Sequence, residues 1–185
     1  MVLHNFLNDT LHELSRATHD AKHPYRYMVM STKSEYFPDT RMVVFRSFDK
    51  ESMRGRIYTD YRTNKVQQLK INPYASFLLW HPKQRLQVKL LTSTEFIHEP
   101  WRSKLFDQLS EKQKSEYNTE LAPGTPIDEI EEGHKIADQL SPENFSVVEF
   151  HIEVMEVLQL NRKKHIKARF SYERGELKEK SWLVP

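Results

Sequence analysis

The chain has 185 residues, no cysteine and a formal net charge of +2, with 29% charged residues and a mean hydropathy of −0.73. This length suits a single domain, residues 1–185, and the lack of cysteine excludes disulfides, thiolate metal sites and cysteine nucleophiles. No apolar run approaches the ~20 residues of a membrane-spanning helix. The N-terminus lacks a basic segment followed by an apolar one, so we expect no secretory signal and a cytoplasmic protein.

The N-terminal segment predicts a helix over residues 2–20. Apolar side chains recur there at helical spacing, and polar residues fill the opposite face. The apolar positions are Leu3, Phe6, Leu7, Leu11 and Leu14. We therefore expect this helix to lie on the outside of a core.

Segments rich in aromatic and β-branched residues follow, and turn residues separate them. They predict strands over 25–32, 41–48, 56–59, 74–80, 85–97, 145–160, 166–173 and 178–184. Between two of these strands, Thr63 is a suitable N-cap for a short helix over 64–70, and Asn72-Pro73 ends that helix.

Residues 99–140 form a less regular segment that predicts a helical and loop insertion. A helix is expected over 101–109 and a short helix over 130–140, while two prolines and a glycine in 121–126 predict a loop. The whole chain then holds at least six strands, most of them joined by tight turns. Such consecutive antiparallel strands favour a mainly β protein closed into a barrel. The lack of crossover helices between the strands argues against a doubly wound parallel sheet.

Cations at the ends of short strands and turns suggest a phosphate site. Arginine offers a planar fork for phosphate oxygens, lysine a point charge, and a helix N-terminus a favourable field for an anion. A phosphate near Arg41, Arg62 and Lys65 is therefore physically reasonable. Arg46 lies on the same predicted strand as Arg41, and a period of two turns the two side chains to opposite faces. The alternative interpretation is that all four are ordinary surface cations.

The order of the motifs is more specific than any one of them. An Arg-x-Val-x-x-Arg strand over 41–46 precedes the turn Tyr58-Thr59-Asp60, a cation-bearing turn to Lys65, Asn72-Pro73, an apolar strand over 77–80 and Gln87-Val88. This set resembles the pyridoxamine phosphate oxidase-like family, with a good match over 38–97. A weaker match follows at 168–170 and 182–185.

The resemblance implies an FMN-binding split β-barrel and a homodimer with two flavin sites at its interface. It also implies a set of cofactor-binding residues. Arg41 and Lys65 would hold the FMN phosphate, with help from Arg62. The backbone of Met42, Val43 and Val44 would run beneath the flavin, and Tyr58 and Thr59 would line the ring or ribityl chain. Gln87 would make a polar contact with the cofactor, Arg46 would lie near flavin and substrate, and Arg169 would come from the partner subunit.

Departures from the family pattern lie on the substrate side. The oxidases carry a Gln-Ser pair after the Gln-Val strand, which residues 99–140 do not show. Where they have an Arg-x-His element, this chain has His165-Ile166-Lys167, and Gln159 stands where a tryptophan is expected. These changes argue against authentic pyridoxamine phosphate oxidation and less against FMN binding. The chain looks closer to a smaller flavin-binding subgroup.

The leading hypothesis is thus an FMN-dependent oxidoreductase that transfers a hydride or electrons through flavin N5 to or from an unidentified small molecule. The alternatives are a flavin carrier or sensor without turnover, and a barrel that binds RNA or another polyanion through 162–165. Interleaved charges argue against a nucleic-acid partner. FMN and a deazaflavin are not distinguished, and the catalytic residues are unknown, with His165 or Arg46 as acid–base candidates. The histidine pairs lack a third ligand at a suitable spacing, so no metal site is predicted.

Overall fold

The structure is a computed structural model that describes residues 2–185, and its architecture is mainly β. Four α-helices accompany nine strands in this part of the chain. The helices are α1 (Leu3–His19), α2 (Asn64–Ile71), α3 (Trp101–Asp107) and α4 (Glu111–Ser115). The strands are β1 (Tyr27–Lys33), β2 (Pro38–Val44), β3 (Ser47–Asp49), β4 (Arg54–Asp60), β5 (Tyr74–His81), β6 (Leu86–Phe96), β7 (Phe145–Gln159), β8 (Ile166–Glu173) and β9 (Glu176–Leu183). Single 3₁₀ turns form at Pro24–Arg26 and Ile130–His134.

The strands form one antiparallel sheet in the order β2-β1-β5-β6-β7-β4-β3, with β8 also paired to β7 and β9 to β8. The long strand β7 changes partner along its length. Along one edge of β7, the first half pairs with β4 and the second half pairs with β8. The opposite edge of β7 pairs with β6. The register of β6 against β7 shifts where the partner changes, between Leu91 and Thr92. This division of one strand between two partners splits the barrel.

Alternate residues of the strands point inward and build the main core. Aromatic rings occupy its centre, and Phe150 lies 4.4 Å from Phe77 and 5.9 Å from Phe45 between ring centroids. Gly55 faces the same ring, and a Cβ at this position would lie 2.3 Å from Phe150. Only a glycine therefore allows β4 to pass over the core at this point.

The predicted N-terminal helix is present as α1, and it lies on the barrel as expected. Phe6, Leu7, Leu14 and Ala17 are buried against the core. Phe6 also packs on Trp182 of β9, with 5.6 Å between ring centroids. The apolar face read from the sequence therefore fixes where α1 lies. No helix among residues 2–185 has both the length and the apolar character needed to cross a membrane.

The insertion after β6 covers the outer face of β4 and β7 and builds a second, smaller core. Phe106 and Tyr117 of the insertion pack there on Phe145 and Val147 of β7. The prediction of a short helix over 130–140 is wrong, because the segment forms a 3₁₀ turn at Ile130–His134 and is not helical after it. The following residues instead pair with 118–120, because the amide of Glu120 donates to the carbonyl of Lys135 and that of Ala137 donates to Asn118.

The prediction of a single strand over 41–48 is also wrong. It divides into β2 and β3, which pair with different strands, β1 and β4. Between them, the amide of Phe45 donates to Arg26 and the amide of Arg46 donates to Arg56, so the chain passes from one partner to the other. Arg41 and Arg46 therefore do not share a strand, and their relative direction does not follow from a period of two.

Candidate functional site

Arg41 is held in a fixed position between β1, β2 and α2. Its guanidinium donates to Thr32 Oγ1 at 2.6 Å and to Gln68 Oε1 at 3.1 Å, and it pairs with Asp39. Gln68 also donates to Asp39 at 2.8 Å, and Thr32 donates to Gln68 at 2.6 Å. Because both neighbouring elements hold the guanidinium, its orientation is set before any ligand arrives.

Lys65 lies in the first turn of α2 and is close to Arg41. Its Nζ donates to the buried hydroxyl of Thr59 at 2.9 Å. Burial lowers the pKa of Lys65, and the positive charge of Arg41 lowers it further. Two neighbouring cations, one of them partly desolvated, favour an anion between them.

The N-terminus of α2 adds backbone donors to the same place. Thr63 is the N-cap residue, but its hydroxyl donates to the carbonyl of Asp60 at 2.7 Å and does not cap the helix. The first-turn amides are therefore left without a side-chain cap. Together with Arg41 and Lys65 they suit a phosphate.

Arg62 was expected to assist at this site, and the structure gives it other contacts. Its guanidinium forms a fork on Asp60, with distances of 3.1 and 2.8 Å, and donates to the carbonyl of Thr119 at 3.0 Å. These bonds join the turn before α2 to the insertion. Its role in binding phosphate therefore stays a prediction.

Arg46 points toward the second core. Its guanidinium lies 5.4 Å from the centre of the Tyr58 ring, and its buried Nε has no hydrogen-bond partner among residues 2–185. Tyr117 of the insertion is close by: burial raises the pKa of its hydroxyl, and the charge of Arg46 opposes that rise. A buried donor without a partner is costly, so an anionic or carbonyl group bound here would relieve that cost. The sequence analysis missed Tyr117, since it lies in the segment with the weakest pattern.

The strand β2 lies at one edge of the sheet, so one side of its backbone has no neighbouring strand in the described chain. Met42 is exposed, Val43 belongs to the main core, and Val44 is half-buried. An open strand edge offers backbone donors and acceptors to a ligand. This arrangement suits the backbone contacts expected of 42–44.

Gln87 and Arg169 lie apart from this group. Gln87 lies on β6, where it pairs with Trp80 of β5 and Leu158 of β7. Strand β6 is three strands from β2, or ~14 Å across the sheet. Arg169 lies on β8, still further along the sheet, opposite Glu156. One copy of the chain therefore brings Arg41, Thr59 and Lys65 together, and the supply of Arg169 by a partner subunit stays a prediction.

A cavity with a volume of about 800 Å³ lies beside this group. It runs along α2 between the β1–β2 turn and the start of β5. Lys33, Asn64, Gln68 and Tyr74 are among the residues that line it. Gln68 is shared with the contacts of Arg41, so the cavity reaches the cationic group from one side.

A buried cluster of Glu13, His23 and His81 has the residue types of a metal site, but its hydrogen bonds do not fit one. The amide of Tyr25 donates to Nδ1 of His23 at 3.1 Å, and the amide of Gln84 donates to Nδ1 of His81 at 3.2 Å. Each neutral ring then carries its proton on Nε2, which faces Glu13 at 3.1 and 3.6 Å. A metal bound at Nε2 would require a proton on Nδ1, opposite an amide donor.

The Glu13 carboxylate of this cluster is stabilised by its neighbours. Burial by itself would raise the pKa of Glu13, but hydrogen bonds from His23 and Arg16 outweigh burial and leave that pKa below its usual value. Burial lowers the pKa of His81. The cluster therefore ties α1 to the end of β5 through the Glu13 carboxylate and two imidazole rings.

Comparison with known families assigns the segment that contains Arg41 to a family. The sequence model of the pyridoxamine 5'-phosphate oxidase FMN-binding domain matches residues 7–97. This chain belongs to the pyridoxamine 5'-phosphate oxidase-like family. The matched segment contains Arg41, Thr59, Lys65 and Gln87, whereas Tyr117 and Arg169 lie beyond it. The family predicted from the ordered motifs is confirmed.

Solved structures confirm the split-barrel fold. A pyridoxamine 5'-phosphate oxidase-related, FMN binding protein from Nostoc punctiforme PCC 73102 is 21% identical and covers 100% of both chains, with a TM-score of 0.80. PhzG from Burkholderia lata 383, in complex with tetrahydrophenazine-1-carboxylic acid, is 16% identical and covers 97% of this chain and 92% of its own, with a TM-score of 0.79. General Stress Protein 26 from Bacillus anthracis is 15% identical and covers 80% and 97%, with a TM-score of 0.53. No curated protein matches the sequence.

Proposed function

We propose that this protein binds FMN, with the phosphate between Arg41 and Lys65, and that it is an oxidoreductase acting on a small molecule. The observation that carries the proposal is the fixed cation pair beside the N-terminus of α2, in a chain whose family domain is FMN-binding. Bound FMN would supply the hydride or electron chemistry. Arg41 and Lys65 would hold and orient the cofactor, and Thr59 would position Lys65.

The outer face of β2, β1 and β5 supports a homodimer with flavin at its interface. Tyr27, Met42, Leu78 and Trp80 are large apolar side chains that this face leaves exposed. They lie on neighbouring strands, so they form one surface. A second copy would cover this surface and bring its own Arg169 toward the flavin.

Arg46 supports a substrate that carries an anionic group. Its unpartnered Nε lies beside Tyr58 and Tyr117 at the edge of the insertion. PhzG, which has this fold, is in complex with a carboxylic acid. A carboxylate or phosphate of the substrate would give Nε of Arg46 a hydrogen-bond partner.

The test is the visible absorption spectrum of the purified protein, together with the mass of the cofactor released on denaturation. Two flavin bands and the mass of FMN support the proposal. A deazaflavin mass would correct the cofactor, and a protein that is colourless and binds no added FMN contradicts it. Sedimentation at several concentrations tests the dimer, which requires twice the 22.2 kDa of one chain.

A flavin carrier or sensor remains the second hypothesis for the same site. The bound flavin would then resist reduction by nicotinamide donors while dithionite still reduces it. Turnover with any donor and acceptor favours the oxidoreductase.

A further inference from the structure

The small net charge of the chain hides a strong separation of charges. Segments 77–94 and 157–172 together contain eight lysines and arginines and no acidic residue. The rest of the chain holds 20 basic and 26 acidic residues, and the insertion at 99–140 has ten acids against five lysines and arginines. The basic residues are therefore concentrated in two parts of the sequence.

The fold brings these two parts together at one end of the barrel. The turn between β5 and β6 touches the turn between β7 and β8, where the amide of Leu160 donates to the carbonyl of Arg85 at 2.9 Å. We name the basic side chains of these two turns the basic tip: Lys83, Arg85, Arg162, Lys163, Lys164 and His165. The acidic insertion packs on Phe145, at the opposite end of β7 and ~45 Å away along the strand.

The two turns of the basic tip contain no acidic residue of their own. All six side chains are exposed, and none of them takes part in a salt bridge among residues 2–185. The nearby acids are already engaged, because Glu156 pairs with Lys89 at 2.9 Å and Glu13 pairs with Arg16 at 2.9 Å. A positive field that is not compensated attracts a polyanion.

An aromatic pocket adjoins the basic tip. It has a volume of about 540 Å³, and Lys164, His165, Lys167 and Trp182 are among the residues that line it. The Trp182 ring rests on Phe6 on one side and is 44% exposed. It is therefore supported from behind and open to a second planar group.

We infer that the basic tip and the Trp182 pocket bind single-stranded nucleic acid, with cations on successive phosphates and Trp182 stacked on a base. Cationic grooves with aromatic rings are the usual means of binding single strands. A duplex keeps its bases stacked inside, and the headgroups of a bilayer offer no planar ring for a pocket. The two turns thus fit an unpaired strand better than either.

The test measures binding of a labelled 12-nucleotide single strand of mixed sequence to the full chain, by fluorescence anisotropy at several salt concentrations. We expect log affinity to fall linearly with log salt, by about 0.7 per phosphate contacted. Replacing the three cations Arg162→Gln, Lys163→Gln and Lys164→Gln should reduce that slope by about 2. The matched control Lys50→Gln, Lys112→Gln and Lys135→Gln removes equal charge elsewhere and should leave the slope unchanged.

The stacking contact has its own variant. Trp182→Leu should weaken binding roughly tenfold without changing the salt slope, and Trp182→Phe should weaken it less, with circular dichroism confirming the fold. Four outcomes overturn the inference: no binding at 50 mM salt, an equal loss in the control variant, tighter binding to anionic vesicles, or a mononucleotide that binds as well as the 12-mer.

Discussion

The cations near α2 and the cations of the basic tip differ in how the protein holds them. Arg41 and Lys65 are only two, but side chains of β1, β4 and α2 fix their positions. The basic tip has more charge, carried on exposed side chains without partners. The difference teaches that orientation suits a site to one small ligand, whereas charge density suits a surface to a long, flexible polyanion.

The largest effect should come from removing the oriented pair. Arg41→Ala with Lys65→Ala should abolish flavin retention, with a loss of affinity of about a hundredfold or more, because two charge-assisted contacts to phosphate disappear. Flavin fluorescence titration measures this. The control Lys50→Ala with Lys70→Ala changes exposed lysines of the β3–β4 turn and of α2. Unaltered FMN affinity in the Arg41→Ala, Lys65→Ala variant would refute the site.

The next largest effect should be a difference in salt dependence between ligand binding at the basic tip and FMN binding near α2. Raising the ionic strength from about 0.05 to 0.5 M should lower oligonucleotide affinity by nearly three orders of magnitude if about four phosphates are bound. FMN affinity should fall by less than tenfold, because partly buried charges are screened less. Both titrations use one protein preparation. Equal salt dependence of the two affinities would contradict the proposed difference between the site near α2 and the basic tip.

Orientation by itself can be tested without changing any charge. Gln68→Leu removes the acceptor that holds Arg41 and should weaken FMN binding about tenfold. Gln67→Leu, at the adjacent exposed position of α2, is the matched control. Equal FMN affinity in the two variants would show that the fixed position of Arg41 does not contribute to FMN binding.

The smallest effect concerns pH. Burial holds the pKa of His81 below the ordinary value of about 6.5, so the unfolded chain binds more protons and stability falls as the pH drops below 6.5. We expect a lower Tm at pH 5 than at pH 7, and a smaller difference in His81→Gln. His165→Gln, which changes an exposed imidazole of the basic tip, should keep the full difference; a His81→Gln profile identical to the wild type would show that this cluster does not carry the effect.

Most of the elements could be predicted because each one has a local signal. The apolar stripe of α1, the alternation of β7 and the Asn72-Pro73 stop are local patterns, and all three elements are present. Ser110 and Gln113 form a capping box at α4 that the sequence analysis overlooked, although its spacing is recognisable. The division of 41–48 into β2 and β3 has no such signal, because it depends on which strands lie beside the segment.

The candidate site was predictable in part for the same reason. Arg41, Thr59 and Lys65 follow the order of the family motifs, and the fold brings them together. Tyr117 and the contacts of Arg62 come from the insertion, whose weak pattern says nothing about where it packs. The charges appeared interleaved along the chain, yet 77–94 and 157–172 meet at one end of the barrel.

The sequence by itself determined the family, the mainly β class, the outward helix and the cations that suit a phosphate, because periodicity and motif order are properties of neighbouring residues. The tertiary structure decided which of those cations are oriented, where the insertion packs and which turns touch. Such contacts join residues far apart in the chain, as between Leu160 and Arg85. They arise from burial of the whole core and from strand pairing, which no local segment encodes.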